Sequence, residues 1–125
     1  MTDTATASVA LRDNGVVEVR IKEGAHQSLD DARQNLDAAL AARGGRRRPL
    51  LIDIRGAQPL EPPVRHYYSG QVLIDGFSAI GLLVEASPVG VMMGNLYFRV
   101  ARPGIPAHLF TDPVKADAWL GDYSR

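Results

Sequence analysis

Two rhythms of apolar residues alternate along this chain. Between Val16 and Lys22, the residues Val17, Val19 and Ile21 alternate with Glu18, Arg20 and Lys22, the period-two pattern of a strand with one buried and one solvated face. Ser8 to Arg12 is a second β-rich run. Asp13-Asn14-Gly15 between them tolerates the positive φ of tight turns, so the two runs are expected to pair as a hairpin. The rhythm then changes. Leu29, Ala32, Leu36, Ala39 and Leu40 form one stripe at helical spacing. Ser28 precedes them as an N-cap, Asp30 and Asp31 occupy the first turn where the helix dipole favours acids, and Arg43-Gly44 supplies the stop.

Pro49-Leu50-Leu51-Ile52-Asp53-Ile54 is a nearly continuous apolar run of the kind that sits mid-sheet, covered on both faces. Pro62 and Pro63 preset the first turn of a second helix, continued by Val64, Tyr67, Tyr68, Gln71 and Val72 until Asp75-Gly76 ends it. Ala79 to Val84 reads as the next buried strand. Ser87-Pro88 opens a third helix with Val89, Met92, Met93, Leu96 and Val100 available to pack, closed by Pro103 and Pro106. A brief strand, Ala107 to Phe110, leads to a fourth helix capped by Asp112, with Pro113 in its first turn and Val114, Ala118, Trp119 and Leu120 along it. The order ββαβαβαβα predicts an α/β domain with a mixed sheet: an antiparallel hairpin at one side and right-handed βαβ crossovers for the rest. Residues 1–125 read as a single domain with residues 1–7 as a flexible lead-in. No internal repeat or linker divides it.

Composition narrows the function classes. A chain of 125 residues buries roughly two thirds of its unfolded surface, enough for a core without disulfides or a structural metal. It has no cysteine, hence no disulfide framework, thiolate nucleophile or zinc ribbon. The 14 basic and 14 acidic residues cancel, which argues against a protein built to neutralise nucleic-acid phosphates or an anionic membrane. Phe77 to Met93 is the longest apolar stretch. Glu85 and Pro88 interrupt it, and it falls short of the roughly 20 residues that cross a bilayer, so no membrane insertion is expected. Met1 to Ser8 lacks the basic start and apolar run of a secretory signal, giving the expectation of a cytoplasmic protein. Arginine (12) far exceeds lysine (2), which together with abundant alanine points to a GC-rich bacterial source.

Several stretches together resemble a known fold. They are Leu51-Ile52-Asp53-Ile54-Arg55-Gly56 on the central strand, Gly94-Asn95-Leu96-Tyr97-Phe98 in the third helix, and the Arg102-Pro103-Gly104-Ile105-Pro106 link. Leu109-Phe110-Thr111-Asp112, Ala116 and Trp119-Leu120 complete the set. From about Asn14 to Leu120 the chain resembles the SpoIIAA-like, or STAS-like, α/β fold, and within it a family of small bacterial proteins of unassigned function. In the better-known relatives, the anti-sigma-factor antagonists, a serine at the start of the helix after the central strand is phosphorylated by a partner kinase, which switches partner binding. Here that stretch reads Pro59-Leu60-Glu61-Pro62-Pro63-Val64-Arg65, with no serine or threonine, so the phosphoswitch does not carry over. Glu61 is either a permanently charged version of that switch or a first-turn acid favoured by the dipole.

Asp53 and Arg55 lie at the carboxyl end of the central strand, where open α/β sheets place ligands. They either pair with their surroundings or offer a site, with Arg55 able to grip a carboxylate or phosphate; nothing glycine-rich follows to cradle a nucleotide. His66-Tyr67-Tyr68 reads as an exposed histidine beside two tyrosines that pack helix to sheet, or as a recognition patch. His26 and His108 are isolated, without metal-ligand spacing. Ser87 lacks a nucleophile-elbow pattern and is explained as a cap. Gly90 and Gly94 leave one side of the third helix without bulk, while Met92, Met93, Tyr97 and Phe98 exceed what one buried stripe needs, a surplus that points to a protein interface and most simply a homodimer. Asn95 is the polar group among them: it ties the helix to a neighbouring loop, the default reading, fixes a dimer register, or sits in solvent. Arg46-Arg47-Arg48 reads as a solvated loop rather than a nucleic-acid contact.

Three readings follow. The first is a cytoplasmic, STAS-like protein-interaction module, homodimeric, without cofactor or chemistry of its own. The second is a module holding a small apolar, lipid-like or acidic ligand between the second and third helices through Tyr67, Tyr68, Met92 and Arg55. The third, ranked last, is an enzyme such as a hydrolase, which would need His66, Asp53 and Ser87 within hydrogen-bond reach.

Overall fold

A computed structural model of the chain describes residues 1–68, 70–92, 95 and 105–124. It contains six strands: β1 Thr2–Asp3, β2 Ala7–Leu11, β3 Val17–Ile21, β4 Arg48–Asp53, β5 Phe77–Leu83 and β6 Ala107–Phe110. Four helices, α1 Leu29–Ala42, α2 Pro62–Tyr68, α3 Gln71–Gly76 and α5 Pro113–Gly121, are joined by α4, which opens at residues 88–92. The strands form a single mixed sheet in chain order, β1-β2-β3-β4-β5-β6. β1, β2 and β3 pair antiparallel; β3, β4, β5 and β6 run parallel. The expected hairpin is β2–β3, closed through Gly15 at φ 84°.

Side-chain alternation divides the core between two faces. Val17, Val19, Ile21, Leu50, Ile52, Ile80 and Leu82 point to one side and are covered by Ala32, Leu36 and Ala39 of α1, Val64 and Tyr68 of α2, and Leu73 of α3. Leu51, Ala79 and Leu83 point to the other and meet Ala116 and Leu120 of α5. This double burial is why β4 and β5 are apolar at nearly every position. Pro49 cannot donate to a ladder, and the β4–β5 register shifts between Arg48 and Pro49, so the irregularity sits at the start of the strand.

The caps fall where the sequence places them. Ser28 and Asp31 form a reciprocal capping box at α1, Asp112 accepts from the Val114 N–H at α5, and Ser87 Oγ accepts from the Gly90 N–H at 3.1 Å.

Two expectations change. The second helix is broken into α2 and α3, because Gly70 adopts an extended conformation (φ −74°, ψ 170°) and caps α3 without a side-chain bond. The segment 1–7, expected as a flexible lead-in, supplies β1, and within it Thr6 is buried and Thr4 Oγ1 hydrogen-bonds Asn35. Arg46 and Arg47 are exposed as expected of a solvated loop, Arg48 opens β4, and all three also donate to backbone carbonyls: Arg46 to Ser124, Arg47 to Ile74 and Arg48 to Arg43, all near 3.0 Å. They tie together segments at the end of the sheet where the parallel strands begin.

Candidate functional site

The parallel strands end together at Ile21, Asp53, Leu83 and Phe110, and the loops that follow form a crest. Two of these loops are bound to each other. Gly24 N–H donates to the Gly56 carbonyl at 2.7 Å, and Gln58 N–H donates to the Ala25 carbonyl at 3.1 Å. Gly24 and Gly56 both have positive φ (73° and 78°), and a Cβ on Gly56 would come within 3.2 Å of Glu23 Cγ. Close approach of the two loops thus needs glycine at position 56.

Asp53 is the last residue of β4 and is buried, only 3% exposed. It faces the side of the sheet that α5 covers. There it accepts three hydrogen bonds from Arg55: from the backbone N–H (3.1 Å) and Nε (3.0 Å) on Oδ1, and from Nη2 (2.9 Å) on Oδ2. Arg20 Nε stands 3.7 Å away. A buried carboxylate needs this degree of compensation. The same bond to Asp53 outweighs burial and raises the pKa of the Arg55 guanidinium.

The pair ends a longer alternation. Asp117 of α5 binds Arg12 through both carboxylate oxygens, at 2.5 and 2.7 Å, and Arg12 lies 3.6 Å from Glu18. Arg20 then links Glu18, at 3.3 Å, to Asp53. The sequence Asp117, Arg12, Glu18, Arg20, Asp53, Arg55 alternates in sign across the face of the sheet beside α5, and its charges cancel.

Beyond Arg55 the crest holds an open, polar cleft of about 560 Å³, lined by Ser8, Arg20, Lys22, Glu23, Asp53, Arg55, Gly56 and Glu85, together with Ile21. A second cleft of about 260 Å³ lies between the β4–α2 loop and the start of α4 and shares Glu85 with the first. On the opposite face a mainly apolar cavity of about 50 Å³ is bounded by Ile21, Ile52, Ile54, Leu60, Gln27 and Tyr68. Behind it a buried uncharged network joins Asn35 to Thr6 (2.9 Å) and Gln27 (3.1 Å), and Tyr68 to Gln27. Burial pushes the Tyr68 phenol up to about 12, and burial also raises Tyr67.

The residues expected at a site are thus dispersed. Asp53 and Arg55 meet. Tyr68 is buried at the apolar cavity, Tyr67 is half-buried with its ring edge-on to Tyr68, and His66 is exposed on α2. Met92 is 57% exposed on α4, and Asn95 is exposed in helical backbone. Tyr68 and Arg55 line different cavities, so the expected grouping of Tyr67, Tyr68, Met92 and Arg55 around one ligand is corrected. The sheet separates the faces on which the two cavities lie. Met93, Gly94, Tyr97 and Phe98 lie outside the described residues. Ser87 caps α4, while Asp53 is engaged by arginines.

Sequence reasoning missed Arg20, Lys22, Glu23 and Glu85. The signal for them was present, since each stands at or just beyond the end of a parallel strand. It also missed the tilted rings of His108, Phe110, Trp119 and Tyr123, whose neighbouring centroids lie 4.7 to 5.7 Å apart on β6, α5 and the turn after it. Among the described residues no group of three potential ligands is placed to hold a metal, and no helix is long and apolar enough to cross a membrane.

Fold and site define an α/β domain with a single mixed sheet and a charge-laddered crest. The chain belongs to the family described as a domain of unknown function, DUF7793, whose model matches residues 10–124. Neither the curated proteins nor the solved structures contain a match.

Proposed function

We propose that this chain is a STAS-like interaction module that works as a homodimer and by binding another protein, without a cofactor or chemistry of its own. The observation that carries the reading is the commitment of Asp53. A carboxylate acting as nucleophile or general base needs an oxygen open to substrate, whereas both oxygens of this one are engaged by a two-pronged guanidinium and a backbone N–H. The mixed sheet, an antiparallel hairpin followed by parallel strands, is compatible with the SpoIIAA-like α/β likeness. The loop into α2 offers no phosphorylatable hydroxyl. Glu61 there lies 3.6 Å from His26, a surface contact rather than a switch.

The interface is assigned to the start of α4. Val89 and Met92, three residues apart on one side of the helix, are 61% and 57% exposed. Sedimentation of the wild type at micromolar concentration is expected to give a dimer, and Met92→Glu a folded monomer, because a charge would be buried unpaired at the contact. A wild type that stays monomeric across the concentration range overturns the dimer. The apolar cavity, at about 50 Å³, is far below the roughly 300 Å³ at which small-molecule sites begin, so a lipid-like ligand is not favoured. The polar cleft favours a different ligand chemistry.

A further inference from the structure

The cleft beside Arg55 has the features of a built site, and they do not depend on the interaction reading. A guanidinium has two edges that can each hold a carboxylate: the Nε/Nη2 side and the Nη1/Nη2 end. Asp53 occupies the side edge from below, and being buried it fixes the plane of the group. The end edge is left, on a side chain that is 40% exposed and lines the cleft. This is the way a buried acid aims an arginine at a ligand, and the ordering cost is met in the unliganded fold. The loops bearing Glu23 and Gly56 are tied by the Gly24–Gly56 and Gln58–Ala25 bonds, so the wall is preformed as well.

Charge then selects the ligand. The lining carries three cations, Arg20, Lys22 and Arg55, and three acids, Glu23, Asp53 and Glu85. Asp53 and Arg55 neutralise each other. Arg20 is shared with Glu18 and Asp53, and Lys22 Nζ donates to the Thr4 carbonyl. Glu23 and Glu85 are exposed on the rim. A dianion such as phosphate would meet both rim acids. A simple cation would meet the arginines. A molecule carrying one charge of each sign, a few ångströms apart, suits both sets and adds no net charge to a neutral site.

We infer that the crest cleft binds a small zwitterion of the α-amino acid class, its carboxylate on the free end edge of Arg55 and its ammonium toward Glu85. Because the cleft is open, affinity is weak, about millimolar.

The test is a titration of the ¹⁵N-labelled full chain with L-alanine, followed by amide NMR, with acetate, ethylammonium and inorganic phosphate as parallel probes. Alanine is expected to give saturable shifts centred on Arg55, Gly56 and Glu85, and each of the other three to bind at least about fivefold more weakly. Arg55→Lys keeps the charge but cannot hold Asp53 and a ligand with two edges, and should weaken alanine about tenfold. Glu85→Gln changes an exposed side chain outside the buried pair. It should weaken alanine about fivefold while acetate binds no more weakly than before, and it carries the test if Arg55→Lys fails to fold. No saturable shift with alanine overturns the inference, as does binding of acetate or phosphate equal to that of alanine, or alanine binding unchanged in both variants.

Discussion

Asp53 shows how one residue can be legible by position and not by role. The end of a central parallel strand marked it as a candidate, and the structure makes it a buried anchor that orients Arg55. What lay beyond the sequence was the third dimension: Arg20 and Glu85 reach the same cleft from β3 and from the loop after β5. Tyr68 is similar. Its inward side was readable from helical spacing, whereas its hydroxyl partner Gln27 lies in another loop. Tyr68 also has a measurable pH signature. Below pH 10 both folded and unfolded chains keep the phenol proton. Between pH 10 and about 12 the unfolded chain releases it and the folded chain does not, so stability falls as pH rises, by about 2–3 kcal/mol in all. Urea unfolding at a series of pH values should show this slope in the wild type and a much smaller one in Tyr68→Phe; equal slopes would mean that burial does not hold the proton.

At the scale of elements, the caps and apolar periods located α1, β3, β4, β5, β6 and α5 to within two residues, because each is specified locally by a capping residue, a proline or an alternation. β1 escaped notice because a two-residue polar strand has no period; pairing with β2 defines it. The break between α2 and α3 escaped because the apolar stripe continues past Gly70, whose extended backbone interrupts the helix. Glycines offer an element-scale test. At Gly90 in α4 a Cβ would lie 2.5 Å from the Glu85 carbonyl oxygen, a backbone atom that cannot yield without moving the loop. Gly90→Ala is therefore expected to destabilise the chain by about 1–3 kcal/mol. Gly121, near the end of α5, has open space around its Cβ position. Gly121→Ala should be neutral or stabilising by up to about 1 kcal/mol. Thermal unfolding of the two variants decides, and similar effects would show that the close approach at Gly90 is relieved at little cost.

At the scale of the whole molecule, neutrality acquires a structure. The charge ladder from Asp117 to Arg55 runs over the face of the sheet around β3 that α5 leaves open, so this face presents charged side chains rather than apolar surface to solvent. Apolar contact is left to sites such as Val89 and Met92 at the start of α4. The proposed ligand cleft and the proposed partner surface are separate but adjoin, since Glu85 of the cleft stands two residues before the Ser87 cap that opens α4. The most direct measurement of the proposed dimer is amide hydrogen exchange of the wild type at low and at high micromolar concentration. The expected result is slower exchange at residues 88–92 on association, absent from Met92→Glu. Association that leaves residues 88–92 unchanged and instead protects β2 and β3 would contradict the account.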